Sequence, residues 1–152
     1  MLFTGHAELT IDAKQRLAIP SKYRGQWNSE RDGDAWYSVP WPDGSLRLYT
    51  EKRFEALAEQ GQHSLTPGHD EAALESQLFG FAERIEMDSA GRITVPRSHL
   101  ELAGLSSDVV VIGARNRLEV RDRSKWNQSL GERFAQLPAL VARIEAKRAG
   151  NG

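Results

Sequence analysis

Two pairs of residues have the types and spacing to do chemistry: Asp12 with Arg16, and Asp88 with Arg92, each arranged as Asp-x-x-x-Arg. A carboxylate four residues before a guanidinium can lock a turn, accepting from the turn backbone and pairing with the arginine. It can also aim the planar donor fork of the arginine at a guanine edge or a phosphate. Two such carboxylates meeting in one cleft, roughly 5–10 Å apart, would instead form an acid–base pair for hydrolysis. The residue types alone leave these roles open.

The elements that must position these pairs are themselves duplicated. Glu8 to Pro20 and Arg84 to Pro96 superpose at an offset of 76 residues, which lays Asp12, Arg16 and Pro20 on Asp88, Arg92 and Pro96. The same offset lays Leu9, Ile11, Leu17 and Ile19 on Ile85, Met87, Ile93 and Val95. Apolar residues alternate before each Asp and after each Arg, the period of half-buried strands, so each copy reads as a tight hairpin. Gly91 supplies a positive φ in the second turn; Gln15 takes its place in the first, which predicts strain or a different turn type there. Each second strand ends at a proline, which cannot donate to a continuing ladder.

After the first repeat, a short helix starts at Ser21 as N-cap, with Tyr23 and Trp27 packed on the sheet. Glu30 to Asp34 reads as a polar loop. A hairpin follows, from Trp36 to Tyr49, around Pro40-Trp41-Pro42-Asp43-Gly44. Thr50 caps a helix with Phe54, Leu57 and Ala58 on its inner stripe. A further helix from Asp70 carries Leu74, Leu78 and Phe79 inward. The second half repeats the plan, with a Val109-Val110-Val111-Ile112 run that predicts a strand covered on both faces. Pro138 reads as a break, and beyond it Leu140, Val141 and Ile144 mark an amphipathic helix serving either as a lid on its own subunit or as a handle for a neighbour. The expected divisions are residues 1–61 (first repeat), 62–79 (linker loop and helix), 80–130 (second repeat) and 131–152 (C-terminal helix and tail).

Composition narrows the function. The 152 residues contain no cysteine, which excludes disulfides, thiolate metal sites and cysteine nucleophiles. No signal-peptide pattern or membrane-length apolar run is read, compatible with a cytoplasmic protein. Net charge is −1, but the charge is segregated. Between Leu9 and Trp27 one acid, Asp12, faces Lys14, Arg16, Lys22 and Arg24; between His69 and Asp88 six acids face Arg84 alone. His6, His63, His69 and His99 lack helical metal-pair spacing, no glycine-rich loop follows a strand, and no triad motif joins Ser, His and Asp. No motif supports an enzyme, a cofactor or a small-molecule substrate. A nucleic-acid reader fits better. Arg at the end of a two-stranded ribbon can meet guanine in the major groove. Lys14 beside it suits a phosphate, and Lys22, Arg24 and Arg97 suit backbone contacts.

The duplicated Asp-x-x-x-Arg, the flanking Leu-x-Ile-Pro and Ile-x-Val-Pro, and the Phe3-Thr4-Gly5-His6 opening resemble the MraZ family over nearly the whole chain. The resemblance implies an α+β fold of two tandem swapped-hairpin, AbrB-like repeats, with an intertwined β-barrel-like core, short helices and a C-terminal helix. It implies a nucleoid-associated regulator that forms a homo-oligomeric ring. Such rings bind tandem guanine-rich repeats in double-stranded DNA and repress the division and cell-wall gene cluster. Matched by motif, the implied DNA contacts are Lys14 and Arg16 in the first copy and Arg92 in the second, with Asp12 and Asp88 orienting the turns. Ala90 replaces the counterpart of Lys14, so the first copy is expected to dominate.

Overall fold

The computed structural model describes residues 1–61 and 63–151. The first half contains β1 (His6–Thr10), β2 (Arg16–Ala18), α1 (Ser21–Arg24), α2 (Ser29–Asp32), β3 (Ala35–Trp41), β4 (Ser45–Thr50) and α3 (Glu51–Ala58). After α4 (His69–Phe81) the second half contains β5 (Glu83–Glu86), β6 (Arg92–Thr94), α5 (Arg97–Leu102), β7 (Asp108–Gly113), β8 (Leu118–Asp122), α6 (Arg123–Gln128) and α7 (Leu130–Asn151).

The repeat dictates the topology. Both Asp-x-x-x-Arg turns close as expected, but neither copy is a hairpin: the two strands flanking each turn part and pair with strands of the other copy. The larger sheet runs β1-β7-β8-β4-β3-β5, all antiparallel, and β2 pairs with β6 in a separate two-stranded ribbon. The order is palindromic. The leading strand of each copy crosses to the third strand of the other, β1 to β7 and β5 to β3, with β8 and β4 meeting at the centre. This is the swapped arrangement. β1 and β5 end the sheet without pairing to each other, so barrel-like closure is not made by strand hydrogen bonds.

The core lies between the ribbon, the large sheet and the short helices. Leu17, Ile19, Ile93 and Val95 turn inward from the ribbon onto Val109, Val111, Leu118 and Val120. Val109, Val110 and Val111 are all fully buried, as the continuous apolar run predicts. Tyr23 packs edge-on to Phe3 at 5.5 Å between ring centroids, and Trp27 lies 5.2 Å from Trp36.

Several local expectations change. Pro20, not Ser21, occupies the N-cap position of α1; Ser21 is its first residue, without a side-chain cap. The polar stretch after Trp27 forms the one-turn helix α2, because Asn28 accepts from the Glu30 and Arg31 backbone N–H groups. Thr50 stands at the N-cap of α3 without a side-chain cap bond. Leu74 and Phe79 on α4 are exposed rather than inward. Pro138 does not break the tail: α7 runs through it from Leu130 to Asn151, and the apolar spacing Leu130, Phe134, Leu137, Val141, Ile144 spans both sides of it.

One buried group links this core to pH. His99 on α5 is 3% exposed, and its Nδ1 lies 2.8 Å from Ser38 Oγ on β3. Burial pushes its pKa below the ordinary value of 6.5, against the nearby Glu83 charge and a Phe81 backbone contact that favour protonation. Protonation therefore favours the unfolded chain, and stability falls as pH drops below 6.5 towards the lower folded value. Thermal melts of the wild type should lose several degrees between about pH 7.5 and about pH 5. His99→Gln should be less stable overall and flat across that window.

Candidate nucleic-acid interface

Both turns are built by the same hydrogen bonds. Asp12 Oδ1 accepts from the Lys14 and Arg16 backbone N–H groups, each at 2.9 Å, and Asp88 Oδ1 accepts from Ala90 and Arg92, again at 2.9 Å. The second carboxylate oxygen takes the arginine Nε, at 2.6 Å for Arg16 and 2.9 Å for Arg92. Backbone bonds complete each loop: Gln15 N to Asp12 O and Gly91 N to Asp88 O, both at 3.0 Å. Turn lock and arginine orienter are thus one geometry. Backbone donors of Arg16 and Arg92, first among several causes, hold both carboxyls below the usual carboxylate range. That stabilisation is present above about pH 4 and is lost as pH falls further.

The ribbon then sets the arginines on a common face. Arg16 stands opposite Thr94, Leu17 opposite Ile93 and Ala18 opposite Arg92. Alternation turns Leu17 and Ile93 into the core, leaving Arg16, Ala18, Arg92 and Thr94 on the outer face. Arg16 and Arg92 are diagonal neighbours, with Cα atoms about 7–8 Å apart. Their Nε atoms are committed to Asp12 and Asp88, while no hydrogen bond among the described residues uses their terminal nitrogens. Each guanidinium therefore offers an oriented, unoccupied end. The loops also brace each other: Val95 N donates to Gln15 O at 2.9 Å, and Ile19 N donates to Gly91 O at 3.0 Å.

The remaining basic residues are distributed unevenly. Lys14 is exposed at the tip of the first turn, and its ammonium has no hydrogen-bond partner among the described residues. Lys22 Nζ is tied to His6 O at 3.1 Å. Arg97 is exposed at the start of α5. Arg24 is the informative one. Its Nε donates to Ile19 O at 2.8 Å, and the rest of its guanidinium covers Gly91. The second turn, which lost a base at Ala90, thus receives one from α1 of the first half. The electrostatic inequality of the two turns is smaller in space than in sequence. Sequence reading missed this contact because Arg24 and Gly91 lie far apart along the chain; its one trace was a glycine where a close approach would need it.

The same contact makes the two turns respond differently to substitution. Gly91 has φ +76°, and a Cβ there would lie 2.6 Å from Arg24 Nη1. Gln15 carries φ 65° in the equivalent place, a conformation that costs a residue with a Cβ about 1–2 kcal/mol. Gln15→Gly should therefore raise the unfolding midpoint modestly, whereas Gly91→Ala should lower it and displace Arg24. Paired denaturant titrations read both signs.

The histidines build no comparable site. His69 and Asp70 are fully exposed, His63 lies 3.3 Å from Glu59 O, and no cluster of three or more His, Asp or Glu is placed to hold a metal among the described residues. No helix among them is long and apolar enough to cross a membrane.

Comparison with known proteins places this geometry in context. A family model described as "MraZ protein, putative antitoxin-like" matches residues 78–143. A protein of Acetivibrio thermocellus named "Transcriptional regulator MraZ" is 33% identical over 143 residues, covering 94% of this chain and 96% of its own. Another of that name from Coxiella burnetii is 32% identical, covering 89% of each chain. A third, from Photorhabdus laumondii, is 29% identical over 88% of each. These names indicate no catalytic activity. With two Asp-x-x-x-Arg turns and relatives that span almost the whole chain, the protein belongs to the MraZ family.

Proposed function

We propose that the protein is a sequence-specific DNA-binding transcriptional regulator, acting without a cofactor in the cytoplasm and on the nucleoid. The observation that carries this reading is the outer face of the β2–β6 ribbon, where two aspartate-held arginines present free terminal nitrogens side by side. A two-stranded ribbon fits the major groove, and the fork of a guanidinium matches O6 and N7 of guanine. Lys14, Arg24, Lys22 and Arg97 supply phosphate contacts that position the ribbon without specifying sequence. A chain of net charge −1 gains little general attraction to DNA. Affinity then comes from repetition, with a homo-oligomeric ring presenting one ribbon to each of several tandem guanine-rich promoter repeats. Occupying the promoter in this way represses the gene cluster behind it.

The rival reading is an assembly module whose turns meet a protein partner, with Asp-x-x-x-Arg serving as a turn lock alone. Salt separates the two. Phosphate contacts make the logarithm of the binding constant fall with the logarithm of salt, by roughly 0.9 per contact. A tandem-repeat duplex titrated at several salt concentrations should show that slope and should outcompete a scrambled duplex. Equal binding to both duplexes would rule the proposal out.

A further inference from the structure

Two exposed apolar faces on this chain lack a partner, and they match each other. The first is on α7. Beyond Arg133, whose guanidinium stacks 4.5 Å over Trp126, every described side chain from Phe134 to Gly150 is exposed. Leu130, Phe134, Leu137, Val141 and Ile144 nevertheless recur at four- and three-residue intervals, one continuous seam about 21 Å long. A lone helix with this seam in water, carrying Pro138, has little to hold it. The second face is a groove of about 340 Å³ between α4 and the β3–β4 turn, lined chiefly by Trp41, Pro42, Leu74, Leu78, Phe81 and Leu102. Leu74 is 57% exposed and Phe134 is 77% exposed, and each belongs to a contiguous apolar face rather than standing singly.

Charge and length decide what covers the groove. α4 carries Asp70, Glu71 and Glu75 towards its N-terminal end and no Lys or Arg. The outer part of α7 carries Arg143, Lys147 and Arg148 against Glu145 alone. The 13 residues of α4 span about 20 Å, the length of the α7 seam. We propose that α7 of one copy lies antiparallel to α4 in the apolar groove of a second copy, its basic end against the acidic start of α4. Pairing of α7 with itself would leave the groove bare, and its two heptads are short for a coiled coil. Donor and acceptor are different surfaces, so the contact is head-to-tail and adds subunits until the rotation closes. It rests on the ring reading above and names the surfaces that build the ring.

Native mass spectrometry of the full chain tests this with two surface-charge variants, Phe134→Glu/Val141→Glu on α7 and Leu74→Glu/Phe81→Glu in the groove. All four positions are exposed, so circular dichroism melts should match the wild type. The wild type should be a closed oligomer and each variant a monomer. The α7 variant keeps its groove and the groove variant keeps its α7. Mixing the two should therefore give a heterodimer and nothing larger. An α7 variant of unchanged mass would place the ring contact elsewhere, overturning this proposal and leaving the ring intact. Loss of assembly in the α7 variant but not in the groove variant, or no heterodimer on mixing, would also overturn it. A monomeric wild type would remove the ring itself.

Discussion

Arg16→Ala and Arg92→Ala should each lower affinity for a guanine-containing repeat by roughly 5- to 150-fold per ribbon, the worth of one bidentate arginine–guanine contact at about 1–3 kcal/mol. The two losses should be comparable, because the turns share the same bonds and Arg24 restores a base beside the second. Removing both arginines should abolish discrimination between repeat and scrambled duplexes while leaving the fold intact, since each Asp keeps its backbone partners. Lys14→Ala and Arg24→Ala should behave differently, weakening binding to every sequence and flattening the salt slope. Fluorescence anisotropy on the two duplexes distinguishes these patterns. In a multi-site assembly the apparent losses multiply across ribbons, so the per-ribbon figure is best read on a single-repeat duplex.

Leu17→Ala and Ile93→Ala should each destabilise the protein by about 2–5 kcal/mol, the usual cost of emptying a fully buried aliphatic site. The two residues are 0% exposed and face each other at the centre of the ribbon. The ribbon is short, three residues paired with three, and its own ladder cannot hold it against the body. What anchors the outer face of arginines is therefore the inner face of Leu17, Ile19, Ile93 and Val95. Chemical denaturation should show the loss in the midpoint. DNA affinity should fall along with it, even though neither residue reaches the surface. Ala18→Ser, on the outer face between the arginines, should leave stability within about 0.5 kcal/mol of the wild type.

Much of this architecture was legible in the residues. The offset repeat, the alternation around each Asp-x-x-x-Arg and the Val109–Ile112 run led to strands that the fold contains, and the turn residues behaved as their chemistry requires. Partnership between strands was another matter. Alternation says which face of a strand is buried but not which strand lies beside it, and the swap of β1 to β7 and of β5 to β3 entered only through family resemblance. The tail differs for a definable reason: Pro138 signals a stop locally, whereas the apolar period begins before it, at Leu130, and keeps its phase to Ile144, the sign of one continuous helix. Leu74 and Phe79 show the limit of helical spacing, which reports an apolar face without saying how far the same chain covers it: Phe54 meets Phe79 edge-on, and Leu74 stays open. At the ribbon, the residue pattern admits both a turn lock and an arginine aimed at DNA, as roles that one Asp–Arg pair can combine. What no residue pattern carries is which nitrogen the aspartate takes: it bonds Nε, and no hydrogen bond among the described residues uses the terminal nitrogens.

The most direct test of the central claim is a duplex in which 7-deazaguanine replaces guanine in the repeats. That base keeps Watson–Crick pairing, phosphates and O6 but lacks the N7 acceptor in the major groove. If Arg16 and Arg92 read guanine, the wild type should bind the modified duplex about tenfold or more weakly at fixed salt, the loss expected for one charged hydrogen bond per contact. The Arg16→Ala/Arg92→Ala variant should not distinguish the two duplexes. Equal wild-type affinity for both duplexes would contradict major-groove readout by the ribbon and leave the aspartate-held arginines with a structural role alone.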